Sequence, residues 1–450
     1  MVLLQMVLTH PLRAWLFPSA PTEVPDDGPA AVLLHPDAGS PCFAQGLAST
    51  SWREAGKQLA RRIQWDLNES AALHVLPVSE FCRTQGALGA ALVLGIDLEL
   101  PEACEEKRQE LEAVPARLFF NSSSGQLSSG LQSSRVKPGT LRRRVLRLMA
   151  RCSEEELIWA LLLLMNTYVA KVPAVQAQLP RPSGFSLAKA AALCSLPLVA
   201  CGASPTCMKG LFCIALCHLD DQTCAYQCLL KYDSWLITKF SACAFQGQNV
   251  MNFHTSRPKL PHVEPLDGFN STAMQTGMAN RILMGHLGPR NYSWLVAASS
   301  SEAYAQFPLQ YQYWFPARNE RFIYHAVFLA EGVDNWEWHS RTYWVLPVRP
   351  AEWLFASKDA GVHVKEHWYL LGADSSLRWM VIYFAGHAKR AGMAYRGCML
   401  LTPDGKVPGR SAHYPIQEAL DRAGLQLWEM RPVNNELNHS AGPPPLLQLR

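Results

Sequence analysis

Eight of the thirteen cysteines fall between Cys194 and Cys243, spaced C-x6-C-x5-C-x5-C-x3-C-x6-C-x3-C-x14-C. Thiols at this density either pair as disulfides or hold a metal. Cys213/Cys217 and Cys224/Cys228 are each four residues apart, which puts both members of a pair on one face of a helix. Between them, His218-Leu219-Asp220-Asp221-Gln222-Thr223 is polar and turn-like. An antiparallel helical hairpin would stack Cys217 against Cys224 beside the turn and Cys213 against Cys228 one turn further out. Zinc is the rival reading, because short gaps between cysteines fall within the range of zinc ligand spacings. The paired gaps sit too close together for a finger, however, and four further cysteines would be left over. The expectation is a small helical domain at 185–255, stapled by disulfides and holding no metal, built on Cys194, Cys201, Cys207, Cys213, Cys217, Cys224, Cys228 and Cys243.

The elements around it follow from the rest of the chain. Its 450 residues allow two or three domains. A hydrophobic content of 49% and a charged content of 17% describe a globular chain. A net charge of +4 without a dense basic stripe gives no case for nucleic acid. Residues 1–45 are rich in proline (Pro11, Pro18, Pro21, Pro25, Pro29, Pro36, Pro41) and read as a disordered leader or targeting segment. Residues 46–180 have no legible function. Their first part reads as a small α/β unit: a helix over Ser51–Trp65, buried strands over Ala72–Val78 and Ala91–Leu98, an acidic helix over Pro101–Val114, a strand over Ala116–Phe120 and a Ser-rich loop over Asn121–Ser134. Gly86-Ala87-Leu88-Gly89 is too weak a pattern for a phosphate loop. Arg142, Arg143 and Arg144 mark a solvated helix face. A capping box at Ser153–Glu156 opens a helix over Leu157–Ala170, which is too short to span a bilayer comfortably and reads as a core helix. Its rival, a signal segment cleaved near Val175-Gln176-Ala177, is opposed by three glutamates and a whole domain upstream. Pro180–Gly184 is a linker.

From about Asn291 the pattern changes to short, aromatic, alternating runs at regular spacing. Strands are expected near Tyr292–Ala298, Leu309–Phe315, Phe322–Ala330, Arg341–Val348, Val362–Leu371, Trp379–Phe384 and Tyr395–Leu401. Seven or eight such strands predict an antiparallel barrel over 265–430 that closes its own edges, with a terminal helix at Pro415–Ala423 and a tail over 431–450. The fold class expected is therefore multi-domain α+β. A barrel of this size holds one elongated small ligand. Tyr311, Tyr313, Trp314, Trp336, Trp338, Tyr343, Trp344, Trp353, Trp368, Tyr369 and Trp379 are candidates for its lining or for ordinary core.

The cysteine run, with Asp220/Asp221, Thr223 before Cys224, Gln227 before Cys228 and Ala242-Cys243, resembles the cysteine-rich domain of the violaxanthin de-epoxidase family. The likeness is specific over 194–243, continues more weakly to about 445 and does not reach residues 1–150. It implies a lipocalin-like barrel after the cysteine domain, and it implies a Cys194–Cys201 bridge. In the family, the cysteines matching Cys207 and Cys243 pair with positions that are Lys189 and Val250 here, so a compensating Cys207–Cys243 bridge is expected. Motifs carry over unevenly. Against a run like FDAFDCQLHEFH this chain has Tyr304-Ala305-Gln306-Phe307-Pro308-Leu309-Gln310-Tyr311-Gln312-Tyr313-Trp314-Phe315, and the two acid-sensing histidines become Gln312 and Phe315. Against HYQDDWYIL it has His363-Val364-Lys365-Glu366-His367-Trp368-Tyr369-Leu370-Leu371, which keeps a carboxyl, Glu366, where the family's proposed catalytic aspartate stands. The run Ile382-Tyr383-Phe384-Ala385-Gly386 through Tyr395 to Leu401 puts Leu401 where the family has a tyrosine opposite that aspartate.

The resemblance thus implies an oxidoreductase that reduces a xanthophyll epoxide in the xanthophyll cycle, with ascorbate as reductant and no metal. The expected compartment is the chloroplast, in the thylakoid lumen, with peripheral association with the membrane. Glu366 is the expected acid. His363, Trp368, Tyr383, Tyr311 and Tyr313 are the expected substrate contacts, with His363 either a pH-responsive partner or a plain surface histidine. The alternative is a divergent relative that binds a carotenoid or other lipid, or isomerises a xanthophyll.

Overall fold

The structure is a computed structural model. It describes residues 31–36, 41–42, 47–67, 73–84, 89–90, 92–96, 98, 104–114, 116–121, 126–131, 187–217, 222–250, 262–437 and 442–443. The expected leader before Ala31, the Gly86–Leu88 stretch, the arginine-rich face at 142–144, the capping box at Ser153, the helix at Leu157–Ala170, the cleavage-like stretch at Val175–Ala177 and the linker at Pro180–Gly184 lie outside these residues. The chain divides into two compact units, one holding residues 1–44 and 49–176, the other 45–48 and 177–450.

Among the described residues the first unit holds a five-stranded sheet with the order β2-β1-β3-β4-β5: β1 (Ala31–His35), β2 (Leu73–Pro77), β3 (Leu92–Ile96), β4 (Ala116–Asn121) and β5 (Gln126–Leu131). β1 to β4 run parallel and β5 closes one edge antiparallel. Helices α1 (Trp52–Leu67), α2 (Val78–Arg83) and α3 (Glu105–Ala113) alternate with the strands, as parallel pairing requires. Two expectations are corrected. The supposed leader contains an interior strand of the sheet, since Ala31–His35 is buried at every position, the continuous apolar reading of a strand covered on both faces. Part of the Ser-rich loop is β5, paired with β4 along its whole length. A bridge between Cys82 on α2 and Cys104 at the start of α3 was not foreseen.

In the second unit the cysteine domain comprises α4 (Leu187–Leu193), α5 (Ser195–Gly202), α6 (Pro205–Leu216), α7 (Gln222–Lys231), α8 (Trp235–Ser241) and a π-helical turn over Ala242–Gly247. Ser204 caps α6 by accepting from the Cys207 backbone N–H, and Pro205 follows at the first helical position. The hairpin of α6 and α7 carries the nested bridges Cys217–Cys224 and Cys213–Cys228. The other two pairings differ from expectation. Cys194 joins Cys243, and Cys201 joins Cys207. The reason is the sharp bend of 103° between α5 and α6, which brings Cys201 and Cys207 within a Cα separation of 5.2 Å. Cys194 then meets the fold-back of the π-helical turn, and a Cys207–Cys243 bridge has no partner left to form from.

The barrel has eight strands: β6 (Trp294–Ser299), β7 (Tyr311–Pro316), β8 (Phe322–Glu331), β9 (Trp336–Arg349), β10 (Glu352–Asp359), β11 (Val362–Ala373), β12 (Met380–Ala388) and β13 (Met393–Thr402). Each pairs antiparallel with the next, and β6 pairs with both β13 and β7, closing the cylinder. Only β10 was not read from sequence. Helix α9 (Thr276–Met284) precedes the barrel and packs its buried Ile282 and Leu283 with Trp294 and Trp353. Trp294 donates from Nε1 to the Ile282 and Leu283 carbonyls, and Trp353 donates to Asn280. These contacts close one end of the barrel. Helix α10 (His413–Asp421) lies on the outer wall against Tyr369, Leu371, Val381 and Tyr383. Leu47 and Ala48 join that outer cluster, and the Leu47 N–H donates to the Met430 carbonyl at 2.9 Å.

Candidate functional site

Alternation along β11 turns Glu366, Trp368 and Leu370 inward and His363, Lys365, His367 and Tyr369 outward. Register then decides what Glu366 meets. It stands opposite Phe355 on β10 and Gly386 on β12, and Gly386 stands opposite Tyr395 on β13. A Cβ at 386 would lie 2.5 Å from the Tyr395 ring, so the absence of a side chain lets Tyr395 lean across β12. Its hydroxyl donates to Glu366 Oε1 at 2.6 Å, and the Trp368 indole N–H donates to Oε2 at 2.6 Å. Glu366 is 2% exposed. Burial pushes its carboxyl above the ordinary range. The donors Tyr395, Trp368 and Tyr343 pull it down and the Asp359 charge pushes it up, but burial is the larger effect. Burial thus shifts this carboxyl toward its protonated form relative to one in water.

Four phenols surround the carboxyl. Tyr304, Tyr324, Tyr343 and Tyr395 are all held neutral, their ionisation suppressed by burial and by the Glu366 charge. They are fixed donors rather than bases. Below this polar layer the interior is aromatic. Trp368 stacks on Phe355 with ring centres 4.3 Å apart, and Trp314 meets Tyr324 at 4.6 Å and Trp368 at 5.6 Å. Since Trp314 is on β7 and Trp368 on β11, the rings meet across the lumen. Tyr324 is anchored by a hydrogen bond to Gln312. On the other side of Glu366, at the end away from α9, Arg341 on β9 pairs with Asp359 on β10 at 2.6 Å. Tyr226 of α7 lies with the Arg341 guanidinium 5.8 Å from its ring centre.

Of the residues expected to contact a ligand, the structure brings Trp368 to Glu366 and places the rest elsewhere. Tyr311 and Tyr313 are on the outer face of β7, where Tyr311 meets Tyr292 and Trp338 and Tyr313 stacks on Phe315. Tyr383 is outside too, packed beneath α10. His363 is exposed, and its backbone N–H donates to Gln246. The cause is strand parity: a step of one residue exchanges the two faces. Of the other aromatics, Trp314, Tyr343 and Trp353 belong to the interior, while Tyr369 and Trp379 pack outside. Leu401 points into the apolar interior, so the tyrosine that reaches the carboxyl is Tyr395, on the same strand. Of the four phenols, the sequence offers Tyr343 as a candidate for the lining, while Tyr304, Tyr324 and Tyr395 emerge only from the structure. Parity counted from Glu366 through Gly386 would have found Tyr395.

A metal is not favoured at the cysteines. The sulfurs of Cys217, Cys224 and Cys228 lie within 4.8 Å of one another, but all three are spent in bridges, and zinc takes thiolates.

The VDE lipocalin domain model matches residues 186–435, more than half of the chain. The chain belongs to that family. The matched span of this VDE lipocalin domain protein begins at α4 and ends just past Arg431–Pro432, a short stretch paired with β6, so cysteine domain and barrel fall within one family unit. Among curated proteins none matches. Solved structures similar to it include apocrustacyanin C1, at 12% identity over 41% of this chain and 96% of that chain with a TM-score of 0.26. A biogenic amine-binding protein is similar at 11% identity over 38% and 84%, with a TM-score of 0.27. The siderocalin Ex-FABP is similar at 10% identity over 32% and 91%, with a TM-score of 0.24.

Proposed function

We propose that this VDE lipocalin domain protein takes a xanthophyll or related carotenoid into its barrel and removes an epoxide oxygen, with Glu366 as the acid. One observation carries the reading: a carboxyl with its pKa raised by burial sits inside an aromatic barrel at the position of the family's carboxyl. Opening the epoxide and releasing its oxygen as water consumes two protons and two electrons and leaves a carbon–carbon double bond. Glu366 delivers a proton to the oxygen, while Tyr395 and Trp368 fix the direction of the carboxyl. Ascorbate, the diffusible reductant that the resemblance implies, supplies the electron pair and, as its monoanion, the second proton, leaving dehydroascorbate. The disulfides in both units accord with an oxidising compartment, and we place the protein in the plastid, in the thylakoid lumen, in peripheral contact with the membrane that holds such ligands.

A second reading has specific support. Trp314 and Trp368 meet across the lumen, and Gln312, Phe315 and Leu401 replace the family's histidines and tyrosine. A protein with those changes binds a carotenoid or lipid, or isomerises it, without reducing it. Incubation with violaxanthin, lipid and ascorbate at acid and neutral pH, followed by pigment chromatography, separates the two. De-epoxidation at acid pH is expected, falling roughly 100-fold in Glu366→Gln with pigment binding retained. Pigment bound but unaltered by the wild type would favour the second reading.

A further inference from the structure

The end of the barrel away from α9 is covered by the cysteine domain. Helix α7 lies across it. Gln222 donates to the Ala394 carbonyl at 3.0 Å, Gln227 bonds to Gln306, and Lys231 pairs with Glu331 at 2.8 Å. Leu230 packs with Phe307, Phe328 and Ala330, and Tyr226 joins that cluster, edge-on to Phe307 at 5.9 Å. The Tyr226 hydroxyl exchanges hydrogen bonds with Arg341 and Asp359, and burial pushes its pKa far up. One layer below are Tyr343, Tyr304 and Glu366.

We propose that the α6–α7 hairpin is the lid of the barrel and Tyr226 the residue by which it closes, so that a ligand reaches Glu366 only when α7 lifts. The proposal rests on the barrel reading above and adds the route to the site.

Three features bear on how such a lid would move. First, the hairpin is rigid in itself: Cys217–Cys224 and Cys213–Cys228 join its helices at two levels, so it moves as one piece. Second, the domain is anchored elsewhere. Gly361, at φ +84°, sits in the β10–β11 turn, where a Cβ would lie 2.4 Å from the Thr238 carbonyl. Arg390 donates to the carbonyls of Gln246 and Gly247. The close backbone approach is thus at α8 and the π-helical turn, leaving the break at Tyr232–Ser234, between α7 and α8, as the place to bend. Third, what α7 covers is an apolar cluster, Phe307, Phe328 and Ala330 under Leu230, beside an ion pair and a phenol. Burying such a pair returns little net stability, because the lost hydration offsets the attraction. The ion pair thus adds little to closure, and the apolar cluster under Leu230 sets most of what lifting α7 costs.

The test uses the Lys231–Glu331 contact as a lock. Carbodiimide treatment of the whole protein joins the two side chains as an amide, verified by peptide mapping, and Lys231→Met treated in the same way is the unlocked control. Binding of cis-parinaric acid, a fluorescent apolar polyene, is followed by stopped flow. The lock is expected to slow association by about tenfold or more, and Tyr226→Leu, unlocked, to speed it. Equal association rates in locked and control protein would overturn the lid while leaving the barrel site standing. No polyene binding in any form would overturn the barrel reading and the lid with it.

Discussion

At Glu366 the opposing influences have opposite consequences for stability. A carboxyl whose folded pKa lies above its unfolded value of about 4.3 binds its proton more tightly in the folded chain. Stability is therefore greatest below the unfolded pKa, falls as pH rises through the folded pKa, and is level above it, with a slope of no more than about 1.4 kcal/mol per pH unit. Glu366→Gln is expected to remove that decline: denaturant melts should show the variant gaining on the wild type as pH rises from 4 to 7 and no gain in acid. A wild type whose stability rises over that interval by this group would contradict the burial argument. Gly386 is the second residue with leverage. Gly386→Ala puts a methyl where the Tyr395 ring lies, so Tyr395 must leave Glu366. The expected loss is the ~1–3 kcal/mol typical of a charge-linked hydrogen bond or of overpacking, with the Glu366 pKa rising further, as seen by carboxyl-region infrared titration. The carboxyl itself was legible in the sequence because one motif preserved it. Its tyrosine was not, because the partner comes from a strand two places away and depends on a glycine whose role appears only in register.

Among the elements, the cysteine domain shows what spacing does and does not encode. The nested hairpin bridges follow from two i, i+4 pairs flanking a polar turn, which is local information. Cys194–Cys243 and Cys201–Cys207 depend on the angle between α5 and α6 and on the return of the π-helical turn, and neither is written in gap lengths. These two bridges should differ in worth. Cys194–Cys243 spans 49 residues and Cys201–Cys207 spans 6, which in the chain-entropy model gives about 4 against about 2 kcal/mol. Paired Cys→Ala variants, melted under non-reducing conditions, are expected to lose more from the long bridge. An equal loss would show that the local bend carries more of the domain than loop closure does. In the barrel the long, aromatic strands were legible and β10 was not. Only Pro350 and Ala351 separate β9 from β10, with Ala351 at φ +63°, and so short a turn leaves no composition break.

For the whole molecule, each unit has its own core: Val32, Leu34, Phe81 and Val93 in the first, and the barrel interior with the wall under α10 in the second. Limited proteolysis is accordingly expected to release a stable fragment containing cysteine domain and barrel, whose near-ultraviolet circular dichroism keeps the signal of its packed tryptophans. The boundary is not a single cut, however. Leu47 and Ala48, which lie in sequence between β1 and α1 of the first unit, belong to the second, and Leu47 bonds to Met430. A ribosome adding about 5–20 residues per second makes Leu47 on the order of half a minute before Met430 exists. Through that interval the Leu47 N–H lacks the acceptor that it has in the finished fold. A segment made before α1 is thus among the last to find its place.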